Sequence, residues 1–186
     1  MATEIEINSY YSNPLGYTRG LFAQTADSTP ITNTTTETTL IDGGVGSLTV
    51  PANFFKVGDS FIASLGGHIS CPNNETLQIK VKSGSVILGD TGIITMPQCT
   101  NKHWDLQVRF TIRTLGGPGV ASIASFGQFT YSKDAAEVFE GSDFSIVENT
   151  NFNTTISNTL DITAQWGSAD TNDNIYSESF ILTKIY

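Results

Sequence analysis

Between Trp104 and Arg113 the chain alternates without a break. Trp104, Leu106, Val108, Phe110 and Ile112 take one set of positions; Asp105, Gln107, Arg109, Thr111 and Arg113 take the other. In extended backbone successive side chains point to opposite faces, so this period of two describes a strand with one face in a core and one in water. A helix would scatter the same five apolar groups around its axis and bury few of them. The pattern recurs. Leu77, Ile79 and Val81 alternate with Gln78, Lys80 and Lys82. Ile156, Leu160, Ile162, Ala164 and Trp166 oppose Ser157, Thr159, Asp161, Thr163 and Gln165, and Phe180 and Leu182 face one way in a closing strand over 175–185.

Turn residues punctuate these runs at Gly43-Gly44, Gly58-Asp59, Gly89-Asp90 and Gly116-Gly117-Pro118-Gly119, where glycine supplies backbone conformations that other residues adopt at a cost. A first strand is expected over 16–24. Strands over 38–41 and 47–50 flank the Gly43-Gly44 turn. A longer strand covers 60–70, with Gly66-Gly67 marking a bulge or a close backbone approach. Residues 85–88 and 92–96 read as a short hairpin, and 120–132 as the antiparallel partner of the Trp104 strand. Only 134–143 has weak helical character, ended by Gly141. Eight to ten short strands without a repeat or linker give an all-β fold, most economically an antiparallel β-sandwich of jelly-roll type. Residues 1–14 read as a flexible arm before a single domain over 15–186.

Composition narrows the partners. A chain of 186 residues can bury a core without metals or dense disulfides. Charged residues make up only 15%, against roughly 25% in soluble domains. The net charge of -9 and pI near 4.4 disfavour nucleic-acid phosphate. No run approaches the ~18 apolar residues needed to span a bilayer, so membrane insertion is not expected. The opening MATEIEINSYYSNPLG has neither a basic nor an apolar signal region, so no signal peptide is expected.

Chemical motifs are sparse. His68 and His103 are the only histidines and lack the H-x-H spacing of a cupin-type metal site. Ser70, His68 and Asp59 lack a nucleophile elbow. No catalytic residue, metal or cofactor is therefore assigned. Asp170-Thr171-Asn172-Asp173-Asn174 opens like a calcium loop, but Ile175 stands where the EF-hand needs Gly and Ile181 where it needs Glu; a polar hairpin tip is expected. Asn33, Asn74 and Asn153 begin N-x-[ST] triplets that a Thr- and Asn-rich chain produces by chance. Lys80, Lys82, Arg109 and Arg113 form either a small basic patch or ordinary solvated faces.

Cys71 and Cys99 are the only cysteines and lie at strand ends. They form either a bridge, closing a loop of about 28 residues and contributing about 3 to 4 kcal/mol, or two free thiols. The 120–132 strand is apolar on both sides, with Phe126 on one and Ile123, Phe129 and Tyr131 on the other. Such a strand is either central in one sandwich or covered by another subunit, which makes these four residues the candidate contact in a trimer. Tyr10, Tyr11 and Tyr17 are candidate sugar-stacking residues, whereas Trp166 belongs to a core strand.

Five segments carry a resemblance: Thr36–Leu40 (TETTL), Gly46–Asn53 (GSLTVPAN), Lys56–Asp59 (KVGD), Leu160–Trp166 (LDITAQW) and Phe180–Lys184 (FILTK). Together they resemble trimeric jelly-roll structural and surface proteins of phages and large DNA viruses, whose heads are similar in shape to tumour necrosis factor and C1q-like domains. The resemblance brackets most of the chain. It implies a non-enzymatic, virion-associated homotrimer, assembled in the host cell, whose partners are other copies of itself, other virion proteins or host-surface glycans. It carries no catalytic residues. The alternatives are a carbohydrate- or receptor-binding head, and a tumour necrosis factor-like ligand.

Overall fold

A computed structural model describes residues 19–135, 138–148 and 150–186. The proposed arm and Tyr10, Tyr11 and Tyr17 lie outside the described residues. Among those described there are thirteen strands and no helix: β1 (Arg19–Gln24), β2 (Thr38–Thr39), β3 (Gly44–Gly46), β4 (Thr49–Val50), β5 (Ser60–Cys71), β6 (Glu75–Ser83), β7 (Val86–Asp90), β8 (Ile94–Met96), β9 (Cys99–Thr114), β10 (Ser122–Ser132), β11 (Phe139–Glu148), β12 (Asn158–Trp166) and β13 (Asn174–Lys184). The surplus over the expected eight to ten comes from β2, β3, β4 and β8, fragments of two or three residues.

The strands form two antiparallel sheets. One has seven strands in the order β11-β10-β9-β5-β13-β1-β3; the other runs β2-β12-β6-β7, with β4 also on β12 and β8 also on β6. The chain is thus an all-β sandwich. Its core lies between the sheets and is filled by the alternating residues of the long strands. Phe61, Ala63, Leu65 and Ile69 come from β5, Trp104, Leu106, Val108, Phe110 and Ile112 from β9, Leu77, Ile79 and Val81 from β6, and Ile162, Ala164 and Trp166 from β12. Each fully buried large side chain contributes on the order of 1.5–3 kcal/mol.

Polar ties close both flanks. On one, the connection after β1 runs along β13, where Ser28 N donates to Ser177 O (2.8 Å) and Ile31 bridges Ile175, then crosses to β12, where Leu40 N donates to Ile162 O (2.8 Å). Trp166 Nε1 donates to Ile31 O (3.0 Å) and fixes the crossing. On the other flank, β7 packs on β10 and β11. Phe144 lies over Gly89 and Gly127, where a Cβ would stand 2.3 and 2.2 Å from its ring, and the buried Ser125 hydroxyl donates to Leu88 O across the interior.

Three expectations are corrected. In the expected 134–143 helix the residues from Phe139 on are a strand instead: Phe139–Glu148 pairs along its whole length with β10 as an edge strand, because a partner strand and inward Phe144 outweigh weak local propensity. Residues 85–88 and 92–96 do not form a hairpin. β7 and β8 both pair with β6, end to end along one edge. Likewise Gly44 is not in the expected turn but begins β3, which crosses to β1, while β2 and β4 on either side of it join β12.

Candidate functional site

Among the described residues the sandwich is open at one end, where a cavity of about 310 Å³ enters between the sheets. Its floor is Leu88, Phe110, Ile123 and Leu182, inward residues of four strands. One wall is aromatic. Phe55 meets Phe61 edge-on at 6.2 Å between centroids and Phe152 at 6.1 Å. Phe55 comes from the loop between β4 and β5, which turns at Gly58 with φ of +92°; Asp59 holds the turn by accepting from Lys56 N (3.0 Å). The mouth is polar. Lys184 Nζ pairs with buried Asp59 at 2.6 Å and lies 6.0 Å from the Phe61 ring centroid. Arg19 stands at the rim without an ion-pair partner among the described residues. Ser83 Oγ donates to Asn158 Oδ1 (2.9 Å), leaving the Asn158 amide to hold Asn153 O and Ile156 O. An apolar wall with few convergent polar groups is the usual form of a small-molecule site.

The loops around this end are tied together. Asn53 N donates to Thr154 O (2.9 Å), Thr154 N to Gly116 O (2.9 Å), and Ser60 N to Tyr186 O (3.1 Å). They nevertheless leave large apolar groups in water: Phe54 is 70% exposed and Tyr186 80%, with Val57, Leu115, Val120 and Ile156 also exposed.

The residues singled out in the sequence distribute as follows. Ile123, Phe129 and Tyr131 face the core of the single chain, and burial, with the nearby Glu140 carboxylate, pushes the Tyr131 phenol up to about 12. Of the four candidate trimer residues only Phe126 is exposed, at 54%, on the outside of the seven-stranded sheet. Cys71 and Cys99 are directly opposite one another on β5 and β9, both buried and both free thiols. Cys71 Sγ donates to Pro97 O (3.4 Å) and Cys99 Sγ to Ser132 O (3.5 Å). The contact with Cys99, reinforced by burial, pushes the Cys71 thiol up. Trp166 is buried, as its face predicts.

The four basic residues do not make one patch: Lys80 and Lys82 are on β6 of one sheet, Arg109 and Arg113 on β9 of the other. Both lysines instead grip Glu37, Lys80 Nζ at 2.8 Å and Lys82 Nζ closer, while Thr163 donates a third bond. The Lys80 bond first, then that of Lys82, holds the Glu37 carboxyl down to about 2. The 170–174 turn before β13 is not the hairpin tip expected, because it carries the chain from β12 in one sheet to β13 in the other, and its Asp173 is fully buried. Neither of its carboxylate oxygens has a hydrogen-bond partner among the described residues. Burial, then the negative Glu75 and Asp170, pushes its carboxyl up to about 6. Ser70, His68 and Asp59 form no triad: Asp59 serves Lys184 at one end of β5, and Ser70 Oγ accepts from Asn101 N at the other.

The cavity was not legible in the sequence because its lining comes from at least seven separate segments. The one local signal was Phe54-Phe55, an aromatic pair between Asn53 and Lys56 in a turn. The fold and cavity define the class, an antiparallel two-sheet β-sandwich with an open apolar end. No family model matches the chain, and no curated protein does.

Proposed function

We propose that this chain is a non-catalytic structural protein of a virus particle, a jelly roll that stands on or near the particle surface as a homotrimer. The family likeness of 36–59 and 160–184 supports the viral setting. The observation that carries self-association is Phe126. It sits on the outer face of β10, directly opposite Ser145 on β11 and Arg109 on β9, with exposed Val147 one pair along the same face. Large apolar groups grouped on a sheet face gain by being covered. The test is the solution mass. Three copies of the 20.0 kDa chain give about 60 kDa in sedimentation equilibrium, and Phe126→Asp is expected to return the mass to that of one chain. A wild-type mass of one chain refutes the trimer. Mass spectrometry of purified particles tests the setting, and absence of the chain from them refutes it.

The second reading is a receptor- or carbohydrate-binding head. The exposed apolar loop end at Phe54, Val57 and Tyr186 favours it. Glycan-array hits that disappear on Phe54→Ser or on replacing Tyr10, Tyr11 and Tyr17 are its expected signature; an empty array argues for the structural role.

A further inference from the structure

β5 and β9 pair so that His68 lies directly opposite His103 on the outer face of the seven-stranded sheet. Side chains so placed have Cβ atoms about 4.5–5.5 Å apart, and the two imidazoles meet edge to face with centroids 6.4 Å apart. Each ring is oriented by a carboxylate: His68 Nδ1 bonds Glu178 Oε2 at 2.9 Å, and His103 Nε2 bonds Asp105 Oδ2 at 2.7 Å. The tautomers that donate these bonds leave His68 Nε2 and His103 Nδ1 as acceptors, and among the described residues neither has a hydrogen-bond partner.

The backbone around the pair is shaped to bring Glu178 there. The β13–β5 register shifts between Ser177 and Ser179, so Glu178 is the extra residue of a bulge, a device that re-aims a side chain. The shift is possible because Gly67 lets the strands close up: a Cβ there would stand 2.1 Å from Tyr176 O. Tyr176, opposite His68, flanks the pair at 6.2 Å between ring centroids. An imidazole whose far nitrogen is fixed by a carboxylate is the usual form of a metal-binding histidine, since the carboxylate sets the tautomer and raises ligand basicity.

We propose that His68 and His103 form a two-histidine site for a borderline divalent transition metal ion, Zn²⁺ or Cu²⁺, with Glu178 and Asp105 as the outer carboxylates. Imidazole nitrogen suits these ions, and carboxylate- and carbonyl-preferring Ca²⁺ is excluded by the donor set. A Zn–N distance of about 2.0–2.1 Å places two ligating rings roughly 5 to 6 Å apart between centroids, close to the 6.4 Å between these two. Water would complete the coordination of a bound ion, because all four side chains are partly or largely solvent-accessible.

The experiment is calorimetric titration of the untagged full chain with Zn²⁺, Cu²⁺ and Ca²⁺, with electron paramagnetic resonance of the Cu²⁺ form. One saturable site for Zn²⁺ and Cu²⁺, none for Ca²⁺, and hyperfine coupling to imidazole nitrogen are expected. His68→Ala and His103→Ala should each weaken binding at least tenfold. Glu178→Gln, which keeps both ligands, should weaken it by about tenfold, the lower end of the range for outer carboxylates. Far-UV circular dichroism identical to wild type establishes that the variants fold. The proposal is overturned by no saturable Zn²⁺ or Cu²⁺ binding up to 1 mM, on the order of an adventitious surface affinity, or by binding that survives both histidine substitutions.

Discussion

Replacing Asp173 by Asn should stabilise this protein, and the gain should grow with pH. Asp173 is fully buried just before β13, and neither carboxylate oxygen has a partner among the described residues. Its carboxyl is pushed from an ordinary 3.8 up to about 6, by burial first and then by Glu75 and Asp170. A raised carboxyl means that the folded state favours the protonated form. The favourable contribution is complete below pH 3.8 and is lost as pH rises through 6, leaving a buried, uncompensated charge. A shift of about two units corresponds to ~3 kcal/mol near pH 7, falling to ~0.5 kcal/mol at pH 4. Asn is the closest mimic of the protonated carboxyl and has no charge to bury. Asp173→Asn is therefore expected to raise the unfolding free energy by about 1.5–3 kcal/mol at pH 7.5 and by under about 1 kcal/mol at pH 4. Urea unfolding followed by tryptophan fluorescence measures this, since Trp104 and Trp166 are both core residues. Protein concentration is held fixed so that any assembly contributes equally. A variant no more stable than wild type at pH 7.5, or a difference that does not change with pH, refutes the reasoning.

Other perturbations test other parts of the fold. Glu37→Gln should destabilise by about 1–2 kcal/mol at pH 7, a figure reduced from the full shift because the group is partly exposed. Glu37 is depressed to about 2, so its contribution is present above pH 4.5 and lost as pH falls through 2; wild-type and variant urea curves should converge there. Gly67→Ala puts a Cβ 2.1 Å from Tyr176 O and should cost about 3 kcal/mol or more by forcing β5 and β13 apart. Gly20→Ala, which meets nothing within 4 Å, is the control, and equal melting temperatures for the two would contradict the close approach. Cys71 and Cys99 are buried free thiols, so Ellman's reagent should label neither in the native chain and both after unfolding; no reaction after unfolding would show a bridge.

The glycine pair at 66–67 shows how far the sequence carries and where it stops. A bulge or close approach was predictable there because two glycines interrupt an otherwise regular strand. Which partner came close, and which strand bulged, depended on β13 lying beside β5, more than a hundred residues away in the chain. Local propensity misread 134–143 for a similar reason. Glu140, Ser142 and Asp143 carry no strong strand preference, and the pairing with β10 that makes them a strand is a tertiary interaction.

By itself the sequence determined that this is an all-β protein, which faces of its long strands are buried, and the turns at Gly58 and at Gly116–Gly119, because a period of two and the conformational needs of glycine are local properties. Which strands are neighbours is not local. Only the tertiary structure seated Cys71 opposite Cys99 and His68 opposite His103, gathered a cavity from seven segments, and buried Asp173 without a partner. Each of these depends on register between distant strands, set by the whole core at once, and no spacing along the chain encodes it.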